Sequence, residues 1–158
     1  MNKLLLIFVL VFTGTLVQAQ EFTVKPYNRI KYSMGFLPEE KEVSYQYHFT
    51  NELVTKTSNE KIIDQFTVDS LIIKRDYRGS KDDRTIYYHT KWLSKKTGRS
   101  LKNLFKVTID EDEYYPSINI KEYVYDQDQI TILYYSYYDI APSEKDFHIV
   151  KNLINTIP

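Results

Sequence analysis

There is no cysteine among the 158 residues. That excludes disulfides, thiol catalysis, thiolate metal sites and lipid attachment through a cysteine. Glycine is scarce too, and only Gly35, Gly79 and Gly98 lie beyond residue 19. Neither the Walker pattern nor the dinucleotide fingerprint can be written with them. The serine elbow G-x-S-x-G and the S-x-x-K pattern are also missing, as is any Asn-x-Ser/Thr acceptor. Charge of one sign does not dominate, because 21 basic residues meet 21 acidic ones. Nothing global therefore draws the chain to nucleic acid or to an anionic membrane. After residue 12 no apolar run approaches the roughly 20 residues that span a bilayer as a helix.

What is present begins with an address. Lys3 precedes an unbroken apolar run at 4–12, and Val17-Gln18-Ala19 supplies the small and β-branched positions of a cleavage site. This is the layout of a secretory signal peptide. The expectation is a leader at 1–19, removed on export, and a single β-rich domain at 20–158. The absence of cysteines and sequons favours a bacterial route, to the periplasm or the medium, with no transmembrane span left after cleavage.

The domain is rich in tyrosine, with 15 in the whole chain, and in isoleucine, valine, phenylalanine and threonine, the residues that suit a pleated, half-buried surface. In residues 43–50, VSYQYHFT, Val43, Tyr45, Tyr47 and Phe49 alternate with polar neighbours, which is the period of a strand. LVTKT reads as its returning partner. Ser58-Asn59-Glu60 is a turn, KIIDQFTV a strand, Asp69-Ser70 a tight connection, and LIIKRDY the next strand. A polar loop at 78–83, the strand TIYYHTKWL, a turn at 94–100 and the strand NLFKVTI follow. SINIKEYVY and QITILYYSYY make a last hairpin around residues 126–128. Phe22-Thr23-Val24 suits an edge strand, and 27–42 shows no clear pattern. Short strands with short turns predict an antiparallel meander, curled into a small barrel or folded into a sandwich.

The tail changes period. Ser143 stands three residues before Asp146, in the manner of a capping box. Phe147, Val150, Leu153, Ile154 and Ile157 then recur at helical steps, predicting one C-terminal amphipathic helix over 143–155.

Candidate functional residues are few. Four tyrosines crowd into residues 130–139, and the facing strand adds Tyr123 and Tyr125. Packing accounts for such a hairpin, since cross-strand aromatic pairs stabilise it. If Tyr123, Tyr125, Tyr135 and Tyr137 shared one uncovered face, however, they would form a binding surface. The second candidate is electrostatic. Residues 74–106 carry eleven basic against three acidic side chains, and 107–158 carry ten acidic against three basic. Trp92, Arg84, Lys91, Lys95 and Arg99 would form a basic, aromatic surface, unless adjacent strands neutralise one another. His48, His89 and His148 fall on separate segments without metal-ligand spacing. The acidic stretches at 110–113 and 126–128 lack the glycine of a calcium loop. No catalytic residue, metal or cofactor is assigned. The sequence favours a small exported, non-enzymatic binding or accessory protein. Its partner would be an envelope protein, a glycan or an apolar ligand, and nucleic acid is not expected. The alternative is a hydrolase-type enzyme whose acids and histidines meet only in the fold. Lysines within short strands argue against an outer-membrane barrel with a continuous lipid-facing band.

Overall fold

The alternating segments become strands of one sheet. The computed structural model describes the backbone of residues 20–33, 37–78, 81–93, 98–111, 114–126 and 129–156, and their side chains except those of 33, 76–78, 81–83, 126 and 129–134. The expected leader at 1–19 lies outside the described residues. The strands are β1 (Phe22–Val24), β2 (Asn28–Ser33), β3 (Glu39–Glu42), β4 (Tyr45–Phe49), β5 (Leu53–Ser58), β6 (Lys61–Arg78), β7 (Lys81–Leu93), β8 (Ser100–Asp110), β9 (Ser117–Asp126) and β10 (Gln129–Asp139). They form a single sheet in the order β1-β4-β5-β6-β7-β8-β9-β10-β2-β3, with every pairing antiparallel. The sheet curls into a half-barrel with a single helix, α1 (Glu144–Ile154).

From β4 to β10 the chain is the expected meander. Tyr47, Phe49, Phe105 and Val107 are fully buried, while Tyr45 is only half-buried. Ile132 and Tyr134, which the strand period also predicts to be buried, have side chains outside the described residues. Two local expectations are corrected. Asp69-Ser70 is not a turn: β6 runs on through it, and the register shifts by one residue between Val68 and Ser70. A bulge absorbs the extra residue, so Phe66 and Val68 face inward before it and Leu71 and Ile73 after it. The expected loop at 78–83 is also shorter, because β6 reaches Arg78 and β7 begins at Lys81.

Residues 27–42, which show no clear pattern, supply β2 and β3. β2 joins β10, pairing Arg29 with Tyr137 and Lys31 with Tyr135. That partner lies about a hundred residues away in sequence, so no turn signal announces it. The same crossover curls the sheet. β1 is one edge and β3 the other, yet only residues 25–27 separate β1 from β2, and 43–44 separate β3 from β4. The two ends of the sheet must therefore approach each other. Tyr27 N donates to Tyr138 O at 3.1 Å and Val43 N to Tyr27 O at 3.2 Å, closing that corner.

The helix forms as its sequence predicts. Ser143 is the N-cap, its hydroxyl accepting from Asp146 N at 3.1 Å, and Asn155 is the C-cap. Val150, Leu153 and Ile154 are buried against the inner face, each contributing about 1.5–3 kcal/mol of burial. The helix packs on β1, β6, β7 and β8. It is tied to the edge strand by Asp146 Oδ1, which accepts from Thr23 N at 2.8 Å.

Candidate functional site

Alternation places Ile118, Ile120, Glu122 and Val124 of β9 on one face. Across the ladders, Val107 faces Ile120, Phe105 faces Glu122 and Asn103 faces Val124; on the other side Tyr137 faces Ile120 and Tyr135 faces Glu122. This is the concave face, so a carboxylate sits in an apolar row, 7 % exposed. An ionised carboxylate there costs several kcal/mol unless hydrogen bonds replace its water. Three do. Tyr137 Oη donates to Oε2 at 2.7 Å, Tyr47 Oη to the same oxygen at 3.1 Å, and Asn103 Nδ2 to Oε1 at 3.0 Å. Tyr47 lies on β4, on the far side of the curled sheet, so Glu122 clasps the two halves of the barrel together. Burial raises the hydroxyl pKa of both Tyr47 and Tyr137, and the Glu122 charge raises it further. Both are held as hydrogen-bond donors.

Half-buried polar groups surround this floor. Lys56 Nζ lies over the Tyr45 ring at 3.9 Å and the Tyr47 ring at 5.4 Å. Arg29 Cζ lies 5.0 Å from the Tyr135 ring centroid. Trp92 Nε1 donates to Asp64 Oδ1 at 3.2 Å, and Asp64 stands beside Lys56 in the β5–β6 ladder. The Lys56 pKa is lowered, first by desolvation and then by Arg29, against the opposing pull of Glu122 and Asp64. Three side-chain atoms here are shut from solvent without a hydrogen bond: Asn103 Oδ1, Tyr45 Oη and Arg29 Nε. Such atoms are uncommon in native structures. Burial raises the Tyr45 pKa, while the nearby Tyr137 hydroxyl and Arg29 guanidinium temper the rise. Neither neighbour meets Tyr45 Oη in hydrogen-bonding geometry.

The two sequence-derived surfaces are each divided by the fold. The register Tyr135↔Glu122 and Tyr134↔Tyr123 puts Tyr135 and Tyr137 on the concave face, and Tyr123 and Tyr125 on the convex one. The four rings do not share a side. Nor does the helix cover the inner pair: Tyr137 is buried by Tyr45 and Tyr47, at ring separations of 6.1 and 5.3 Å. In the basic stretch Trp92 points inward and Lys91 outward, where Lys91 pairs with Asp69 at 3.0 Å. Arg84 donates to Asn155 Oδ1 beside the end of the helix. Arg99 is exposed and already engaged, and Lys95 lies outside the described residues.

Besides the Lys91–Asp69 pair, like charges also face each other in the sheet. Lys91 faces Lys102 and Lys106 faces Lys121 in the ladders, pairings that disfavour the sheet. Tyrosine faces relieve part of this, with Lys106 lying 5.0 Å from the Tyr87 ring and 5.4 Å from Tyr123, and Lys74 4.5 Å from Tyr87.

The histidines stay outside the cluster. His48 Nε2 lies 3.6 Å from Glu21 on the outward side of β4, and His148 Nε2 lies 3.7 Å from Glu144 along an exposed helix face. His89 is exposed. Among the described residues no three His, Cys, Asp or Glu side chains gather as a metal site.

Glu122, Asn103, Lys56, Asp64 and Arg29 were not among the candidates drawn from sequence. A signal existed for three of them: Glu122 breaks the phase of Ile118, Ile120 and Val124; Asn103 that of Phe105 and Val107; and Lys56 follows Val54 at the strand period. A polar residue in an inward phase marks a buried polar site or an error in the assigned phase. Comparison with protein-family models, with curated proteins and with solved structures found no match for this chain.

Proposed function

We propose that this protein is an exported, non-enzymatic binding domain that takes a small polar ligand against the concave face of its half-barrel. The observation that carries this is the set of unpartnered buried atoms, Asn103 Oδ1, Tyr45 Oη and Arg29 Nε, gathered around one fixed carboxylate. A floor whose donors are already committed to Glu122 is preorganised, and binding to it loses little entropy in ordering side chains. The aromatic groups Tyr45, Tyr135 and Trp92 offer apolar area, and the half-buried cations Lys56 and Arg29 offer orientation. That combination is typical of small-ligand sites.

An acid–histidine enzyme has less support. Its histidines would have to enter a cleft with a carboxylate, and the His48–Glu21 and His148–Glu144 contacts lie on outer surfaces. Export rests on the leader pattern at 1–19 and is tested by the mature N-terminus, expected at Gln20; retention of Met1 in the exported protein rejects it. Trp92, the only tryptophan, is a built-in reporter for binding. A library of mono- and oligosaccharides, amino acids, peptides and small aromatic acids should contain compounds that both shift Trp92 fluorescence and raise Tm. If no compound does so, or if the hits keep their affinity in Tyr45→Ala and Trp92→Phe variants (followed by Tm for the latter), the concave-face assignment is rejected.

A further inference from the structure

We propose that the corner formed by Lys56, Arg29 and Tyr45 is a carboxylate subsite that receives the anionic end of the ligand. This rests on the concave-face binding assigned above and adds the ligand's charge. Among the described residues, Lys56 makes no hydrogen bond or ion pair, and the polar neighbour of the Arg29 guanidinium is the Tyr45 hydroxyl, outside good hydrogen-bonding geometry. Their contacts are with tyrosine faces, Lys56 over Tyr45 and Tyr47, and Arg29 over Tyr135. Most half-buried cations are paired, because desolvation without a partner is costly. Here the donors are gathered and unspent. Arg29 supplies a planar fork that matches a carboxylate with two parallel bonds. Lys56 supplies a compact charge, and the Tyr45 hydroxyl, unpartnered and closed to solvent in the free fold, supplies a third donor when the ligand displaces what covers it.

The surrounding charge decides the kind of anion. Lys56 and Arg29 carry two positive charges, and Glu122 and Asp64, which act electrostatically on Lys56, carry two negative ones. A monoanion leaves the corner at about −1, whereas a phosphate dianion leaves it at about −2, facing two carboxylates in a region of reduced dielectric. The rings of Tyr45 and Tyr135 flank the donors, so the carboxylate should be carried on a flat or apolar body such as an aromatic or sugar ring. The cation–π contacts would persist beneath the bound anion, holding both cations in place.

The test uses the full domain and three simple probes at constant ionic strength: benzoate, its neutral isostere benzamide, and inorganic phosphate. Binding is followed by Tm and by amide NMR shifts at Arg29, Tyr45 and Lys56. Benzoate should saturate below about 20 mM, a range that fills even a site of about 1 mM dissociation constant. Benzamide should bind at least about ten-fold more weakly, the worth of one charge-assisted hydrogen bond. Arg29→Gln and Lys56→Met should each cost benzoate about ten-fold, and Tyr45→Phe about three-fold. Tyr45→Phe removes one oxygen and keeps the ring, so it remains informative if either charge variant folds poorly. Absence of saturation, equal binding of benzoate and benzamide, tighter binding of phosphate, or unchanged benzoate affinity in all folded variants overturns the subsite. Neutral library compounds that still bind through Tyr45 and Trp92 would separate this failure from that of the binding function itself.

Discussion

Tyr137 and Tyr45 are neighbours on the concave face, yet their hydroxyls do opposite things. Tyr137 Oη donates to buried Glu122 at 2.7 Å, while Tyr45 Oη has no partner. Tyr137→Phe should therefore cost about 2 kcal/mol, the range for a hydrogen bond to a charged group. Tyr45→Phe should be neutral or stabilising by up to about 1 kcal/mol, because it removes a polar atom whose desolvation nothing offsets. Urea denaturation of both variants checks the pair, and a destabilised Tyr45→Phe would mean that its hydroxyl has a structural partner. Lys56 gives a pH signature. Its pKa is lowered in the fold by desolvation, so between that lowered value and the ordinary 10.5 the unfolded chain binds more protons than the folded one. Stability from this group thus rises with pH across the window. Wild type minus Lys56→Met, measured by denaturation from pH 7 to 10, should show that positive slope. A flat or falling difference would remove the desolvated lysine. Taking the difference also cancels the buried tyrosines, whose raised pKa values act in the opposite sense.

At the scale of elements, the turn between β5 and β6 holds Asn59 and Glu60 with φ of 47° and 63°. A two-residue hairpin of primed type requires positive φ at both positions. Asparagine tolerates it, but glutamate pays a steric cost of about 1 kcal/mol. Glu60→Gly should stabilise the protein by about 0.5–1 kcal/mol, read from the denaturation midpoint, since glycine adopts this conformation freely; a lower midpoint would show that the Glu60 side chain has another role. The helix and the first strand are coupled through carboxylates. Asp146 of the helix accepts from Thr23 N, and Asp139 at the end of β10 accepts from Lys25 N just beyond β1, each at 2.8 Å, occupying outward donors along that edge that would otherwise invite another strand. Ser143→Ala, which removes the cap, should cost about 1 kcal/mol. It should also speed hydrogen exchange at Thr23, in a different element; exchange unchanged at Thr23 would show that the cap does not support the edge. The helix, its cap and the strands from β4 onward, apart from the bulge that carries β6 through Asp69-Ser70, were readable because their signals are local: period, turn residues and a Ser–Asp spacing. β2 and β3 were not, because residues 27–42 gain their structure by pairing with β10.

For the whole molecule, the curl decides what is buried. Phe22, Ile86, Val107 and Ile118 join the helix residues Val150, Leu153 and Ile154 in one core. Deleting 143–158 would expose that half of the concave face to water. The truncated chain should lose its cooperative unfolding transition and bind a hydrophobic dye. A sharp native-like transition would instead mean that the sheet closes by itself. Near the opposite polar half, a shallow cleft of about 440 Å³ opens along Lys25, Val43, Tyr45, Thr57 and Glu60. The concave face is thus apolar under the helix and polar around Glu122, and the division follows from where the single helix lands.

Sequence alone determined the β composition, the meander from β4 to β10 except for the continuity of β6 through Asp69-Ser70, the capped C-terminal helix and the lack of cysteine and of a phosphate-loop motif, because each depends on residues within a few positions of one another. It could also say that Tyr135 pairs with Tyr137 and Tyr123 with Tyr125. Only the tertiary structure decided that the two pairs lie on opposite faces, because one residue of register exchanges the faces of a strand. Likewise, only the curl of the sheet brings Tyr47 across to Glu122, 75 residues away. Lys56 and Arg29 likewise come from distant strands to lie over the Tyr45 and Tyr135 rings. Electrostatic sites of this kind are set by distance in space, which local periodicity does not encode.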